Sequence, residues 1–217
     1  MSRDRSAGPA GLARRAIIAF DRWLCRRQEI FPYSDDPDCI LRAAIRPAPA
    51  DLELSDGGRV RRGDPVIDLH LWNERVPSMD AHGPDFAWFA AFDRQFKRSL
   101  AELAAYLARH PELQSVHAVR IETAFGRAGG EMTRLGRRYG FDLVHRPENR
   151  RLGRRIHWFF AGFLFLALTW AYNPASLRGK RFVRHQDEFW MTRATLERRY
   201  GAGHGAAGER RRGAGAG

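Results

Sequence analysis

Apolar residues recur along the chain at two spacings. Over residues 84–109, Phe89, Phe92, Phe96, Leu100, Leu103 and Leu107 follow at steps of three or four, the spacing that lines one side of an α-helix. Asp93, Lys97, Arg98, Glu102 and Arg109 fall on the other side. Pro84 suits a first helical position, Asp85 puts an acid in the first turn, and His110-Pro111 ends the element. Over residues 66–72 the period is two. Ile67, Leu69 and Leu71 share one face of a strand and Val66, Asp68, His70 and Trp72 the other.

The remaining elements follow from the same pattern and from turn residues. Residues 39–46 read as a strand broken by Pro47 and Pro49, and residues 51–55 as a short second one. Asp56-Gly57-Gly58 and Gly63-Asp64-Pro65 mark turns. Residues 115–123 predict a strand with Val119 and Ile121 inward. Residues 126–139 predict a short helix with Met132 and Leu135 inward, closed by Gly140, and residues 141–144 a further strand. Thr192 caps a last helix that runs to Tyr200 and Gly201.

Strands joined by short turns pair antiparallel, and strands separated by a helix pair parallel through right-handed crossovers. The expected fold class is α/β: a mixed sheet, antiparallel among its N-terminal strands and parallel among the later ones, with helices on both faces.

Two further segments bear on location. Residues 12–30 form a basic amphipathic helix, with Leu12, Ala16, Phe20, Trp23 and Leu24 on one side and Arg14, Arg15, Arg22, Arg26 and Arg27 elsewhere. Such helices lie on anionic membrane surfaces or pack on a domain. Residues 156–172, IHWFFAGFLFLALTWAY, carry no formal charge. As a helix this run reaches roughly 25 Å, short of the ~30 Å hydrocarbon core. Arginines flank it on both sides, so the positive-inside rule assigns no orientation, and the segment suits one that dips into or lies on the bilayer. A buried central helix is the alternative. Residues 1–11 and 202–217 are polar, small or Gly/Ala-rich and read as disordered tails; no signal peptide is recognised.

Composition narrows the classes. The chain has 217 residues, 44% hydrophobic and 29% charged, which makes it globular. Lys and Arg number 37 against 25 Asp and Glu, a net charge of +12, yet only Lys97 and Lys180 are lysines. The arginines are dispersed and the aromatics sit at helix-core positions or in the apolar run, which disfavours nucleic acid as partner. The two cysteines, Cys25 and Cys39, exclude a disulfide scaffold and suit a reducing compartment.

Candidate chemistry concentrates at the end of the strand over residues 66–72. Asp68 and His70 are two apart and share a face, so they can act as an acid/base pair in which Asp68 sets the imidazole tautomer. Asn73 and Glu74 stand where the strand opens into a loop, and Glu122 stands on the next strand as a convergent polar neighbour. The alternative is that Asp68 and His70 satisfy each other on a half-buried face. Asp68, His70, His82 and Asp85 could supply metal ligands but lack any metal-site spacing, so no metal site is assigned. His117 and Glu122 fall on opposite faces of a strand and form no catalytic pair. No nucleophile elbow, phosphate-binding Walker loop or dinucleotide fingerprint occurs.

The run Gly63-Asp64-Pro65-Val66-Ile67-Asp68-Leu69-His70-Leu71-Trp72-Asn73-Glu74, with Ser99-Leu100, Leu103-Ala104-Ala105-Tyr106-Leu107 and Arg134-Leu135 to Tyr139-Gly140-Phe141, resembles the bacterial YkoP-like domain over roughly residues 38–200. Members of that family occur alone and beside polysaccharide deacetylases. The resemblance therefore implies a cell-envelope setting and an envelope precursor or polysaccharide-related partner. No deacetylase-like metal motif is present. The strand order and the helix ending Arg137-Arg138-Tyr139-Gly140-Phe141 also resemble GNAT-type acyltransferases, which implies a GNAT-like fold and acyl transfer. The CoA pyrophosphate loop of those enzymes is missing between Asn73 and Phe86, and Gly136 stands where they often carry a tyrosine acid, so the cofactor is unknown and the enzyme class is not fixed. The resulting expectation is a domain peripheral to the cytoplasmic face of the cell membrane, with a non-catalytic binding module of the same fold, or a soluble cytoplasmic regulatory protein, as the alternatives.

Overall fold

A computed structural model describes residues 9–78, 85–123, 130–145 and 187–201. The uncharged segment 156–172, His82, Pro84, residues 126–129 of the predicted short helix and residues 1–8 and 202–217 of the predicted tails lie outside the described residues, whereas residues 9–11, expected in the disordered N-terminal tail, form the start of a helix. In chain order the elements are α1 (Pro9–Arg27), β1 (Leu41–Pro47), β2 (Leu52–Glu53), β3 (Arg59–Val60), β4 (Pro65–Leu71), α2 (Phe86–Arg109), a 3-10 turn (Pro111–Leu113), β5 (Ala118–Thr123), α3 (Gly130–Tyr139), β6 (Asp142–His145), β7 (Asp187–Thr192) and α4 (Arg193–Tyr200).

Five strands form one mixed sheet in the order β1-β4-β5-β7-β6, and β2 and β3 make a separate hairpin. β1 and β4 are antiparallel, β4 and β5 parallel, and β7 is antiparallel to both β5 and β6. The mixed α/β class expected from the sequence is the one observed. The parallel pairing of later strands holds for β4 with β5. It does not extend to β6, because β7, a strand that the pattern of apolar positions does not predict, inserts between β5 and β6.

One face of the sheet carries the main core. Leu41 and Ala43 of β1, Ile67 and Leu69 of β4, Val119 of β5 and Phe189 and Met191 of β7 pack with Phe96, Leu100, Leu103, Ala104 and Leu107 of α2 and Leu196 of α4. Asp85 caps α2 from outside the helix by accepting from the Trp88 amide at 2.7 Å, rather than lying in its first turn. The α2 stripe is buried from Phe96 onward, while Phe89 is exposed. The segment before β1 is tied along α2. The Tyr33 hydroxyl donates to the Ser99 carbonyl at 3.0 Å, and the buried Ser99 Oγ accepts from the Ile40 amide at 2.8 Å. Arg193 closes the far end of α2, donating to the Leu107 carbonyl at 3.1 Å and the Leu113 carbonyl at 2.8 Å. Leu135, expected inward, is exposed. Gly140 ends α3 with φ +92, a conformation that favours glycine.

On the opposite face, Trp190, Val66 and Ala118 pack under Leu54 and Val60 of the β2–β3 region. Ser55 holds that region to β6, its amide and hydroxyl both donating to the Asp142 carboxylate at 2.8 and 2.7 Å. Farther along the same face, α1 meets the sheet where Asp21 faces Arg42 at 3.8 Å. Helices therefore flank both faces.

Candidate functional site

Strand alternation puts Val66, Asp68 and His70 on the face away from α2, the parallel register of β4 on β5 aligns Asp68 with Arg120, and the antiparallel register of β5 on β7 aligns Arg120 with Trp190. The buried Arg120 guanidinium grips Asp68 with two donors, Nε to Oδ1 at 3.1 Å and Nη2 to Oδ2 at 2.8 Å. Its Nη1 reaches Glu122 at 3.0 Å and Glu188 at 3.4 Å. Glu188 is 1% exposed and also accepts from the Trp190 indole at 2.9 Å. One guanidinium thus faces three carboxylates. Burial alone would ease its proton off, but Asp68, Glu122 and Glu188 together hold Arg120 more firmly protonated than a free arginine.

His70 sits beside this cluster. Its Nε2 is 3.7 Å from Asp68 Oδ2, too far for a hydrogen bond, and its side chain is 34% exposed. Loss of hydration pushes its pKa below 6.5, against the pull of Asp68 and Glu122, and Arg42 and Arg120 add to the lowering. The imidazole is therefore neutral at physiological pH and can accept a proton or a hydrogen bond.

The sequence-derived candidates divide into two groups. Asp68, His70 and Glu122 converge around Arg120. Glu74 instead faces α1, where its carboxylate accepts from Arg22 at 2.9 Å and from the Trp72 indole at 3.1 Å. Asn73 lies half-buried in the turn after β4. Asp68 pairs chiefly with Arg120, not with His70. Arg120, Glu188 and Trp190 escaped the sequence reading. Arg120 stood in plain alternation with Val119 and Ile121, facing away from the core, and the β-prone run Glu188-Phe189-Trp190-Met191 marked the missed strand.

The sheet opens at this point. The β4–β5 ladder ends at Leu69–Ile121, yet β4 continues to Leu71 beside β1 and β5 continues to Thr123 beside β7. His70 and Glu122 are the first residues past the last parallel pair. In open α/β sheets the space beyond the carboxyl ends of parallel strands is where ligands are held.

Among the described residues no three His, Cys, Asp or Glu side chains are placed to hold a metal ion, and the carboxylates around Arg120 are taken up by its guanidinium. At the start of α2, where a pyrophosphate would meet free amides, the Asp85 carboxylate already takes the Trp88 amide and brings its own negative charge. The nearby Arg75 is spent on the Asp36 and Cys39 carbonyls and lies over the Trp72 ring at 3.6 Å. Gly136 is fixed by packing, since an added Cβ would lie 2.4 Å from the Phe189 ring.

The described residues thus form a mixed five-stranded sheet opened between its two parallel strands, with an arginine-centred carboxylate cluster at the opening. The YkoP domain family model matches residues 20–200, and the chain belongs to that family. No curated protein and no solved structure was found to match it. Among the described residues no helix is long and apolar enough to cross a membrane.

Proposed function

We propose that this YkoP domain is a binding module at the cytoplasmic face of a cell membrane, and that it holds a hydroxyl-bearing glycan of a cell-envelope precursor where β4 and β5 part. The observation that carries this reading is the end of the parallel ladder at Leu69–Ile121, with His70 and Glu122 on either side of the opening. Carboxylates and a neutral imidazole are acceptors for sugar hydroxyls, and Arg120 fixes the carboxylates in place before any ligand arrives. The buried free thiols Cys25 and Cys39 suit the reducing side of the membrane.

Titration of wild-type protein with short glycans containing amino sugars, followed by calorimetry, tests the reading. Glu122→Gln should weaken binding about 10-fold or more, the cost of losing a charged hydrogen-bond acceptor. Equal affinity in wild type and variant would overturn it.

A second reading, acyl transfer, is supported by one specific feature: His70 stays neutral and can take the proton of an attacking amine or hydroxyl. It is distinguished by turnover. His70→Gln keeps an acceptor oxygen but no titrating group, so it should abolish acyl transfer while only weakening glycan binding; binding without turnover in wild type favours the module.

A further inference from the structure

α1 carries an apolar stripe on the side away from the sheet. Its fully buried positions are Asp21 and Cys25, Ile17, Ile18 and Leu24 are half-buried, and neither apolar cluster of the fold includes any of its described side chains. Three of its large apolar residues face out: Leu12 is 62% exposed, Phe20 49% and Trp23 50%. With Ala16 they step by four, four and three along one stripe, and the Phe20 and Trp23 rings stack at 5.6 Å. Arg15, Arg26 and Arg27 are exposed beside the stripe. Polar contacts fix the helix to the domain: Arg22 to Glu74 at 2.9 Å, Asp21 to Arg42 at 3.8 Å, and Arg46 to the Gln28 carbonyl.

We infer that the outward stripe of α1 docks on an anionic lipid bilayer, with Leu12, Phe20 and Trp23 entering the acyl boundary and Arg15, Arg26 and Arg27 meeting the headgroup phosphates. Charge complementarity chooses this occupant. A chain of net charge +12 is drawn to an anionic surface and repelled by a second copy of itself. A nucleic-acid backbone would leave the apolar stripe uncovered. A bilayer satisfies both halves of the face at once. Docking also sets an orientation. Asp21 meets Arg42, and Arg42 pairs in register with His70, so the bilayer lies on the same side of the sheet as the His70–Arg120 cluster. This orientation rests on the membrane setting proposed above; the docking itself rests on α1 alone.

The test uses the full chain and vesicles of phosphatidylglycerol and phosphatidylcholine, with pure phosphatidylcholine vesicles as the neutral comparison. Wild type should sediment with the anionic vesicles and far less with the neutral ones. Arg26→Gln with Arg27→Gln should weaken partitioning about 30-fold, and Phe20→Ser with Trp23→Ser on the order of 100-fold. Trp23→Phe keeps an apolar ring and should still bind, but it should lose the part of the tryptophan fluorescence that brominated lipid quenches. Circular dichroism and the unfolding midpoint confirm that each variant is folded. Failure of wild type to bind anionic vesicles overturns the inference. So does wild-type binding by the Phe20/Trp23 variant, or a wild-type dimer that this variant abolishes. Glycan binding in vesicle-free solution should be unchanged by these substitutions, so failure of docking and failure of the glycan reading are separate results.

Discussion

Arg120→Met removes the cation that Asp68, Glu122 and Glu188 share and leaves a side chain of similar length. Asp68 and Glu188 are buried, and each loses its contact with the guanidinium, at 2.8 and 3.4 Å respectively. Breaking a buried ion pair from one side costs about 3–5 kcal/mol, because a carboxylate such as that of Asp68 stays buried after losing the guanidinium that balanced its charge. Glu122 is more exposed, and its pair with Arg120 adds little to this. The guanidinium also lies 5.8 Å from the Trp190 ring centroid, a contact of about 0.5–2 kcal/mol. The expected loss at neutral pH is therefore about 3–5 kcal/mol, read by urea unfolding followed by far-UV circular dichroism. Asp68→Leu should also destabilise, but Asp68→Leu with Arg120→Met should cost less than the two single effects together, with a coupling of about 1.5 kcal/mol or more. A single-variant loss under about 1 kcal/mol, or effects that add to within about 0.5 kcal/mol, would refute the claim that this cluster is one buried network.

Three further outcomes follow from named contacts. His70 is held below 6.5 in the folded chain. On acidification the unfolded chain therefore protonates first, and stability is full above about pH 6.5 and lost as the pH falls toward the folded-state value. His70→Gln should flatten that decline in unfolding midpoints between about pH 7.5 and 5.5, and an unchanged decline contradicts the assignment. Phe96→Ala empties a site between the stacked Phe92 ring at 5.8 Å and the tilted Tyr139 ring at 4.7 Å and should cost about 3–5 kcal/mol in denaturant unfolding, whereas a loss under about 1 kcal/mol would mean that face is not core. Gly136→Ala forces a Cβ against the buried Phe189 ring and should destabilise by about 1–3 kcal/mol in the same assay, and a neutral effect would place the ring elsewhere.

Local pattern accounts for much of this fold. The stripe from Phe96 to Leu107 and the alternation of β4 are visible in the chain because burial against a single face imposes their periods. The pairing partner of β6 was not legible, since strand order is a non-local property. β7 follows the polar stretch 173–186 and itself begins with two acids, Asp187 and Glu188, which hide its apolar residues from a pattern reading. At the site, the approach of His70 to Asp68 could be read from a spacing of two. The dominance of Arg120 could not, because the parallel register of β4 on β5 is set by the whole sheet and not by either strand. The apolar stripe of α1 was equally plain in the sequence, but only the fold reveals that Asp21 and Cys25 face inward and the stripe outward.

The central claim is that the opening between β4 and β5 receives the ligand. Amide and histidine nuclear magnetic resonance spectra of the full chain, recorded while a short amino-sugar glycan is added, test it most directly. The account predicts that the signals of His70, Leu71, Glu122 and Thr123 move first and saturate together, and that Glu122→Gln shifts the saturation point. Movement confined to other parts of the sheet, or spectra unchanged by the added glycan, would contradict it.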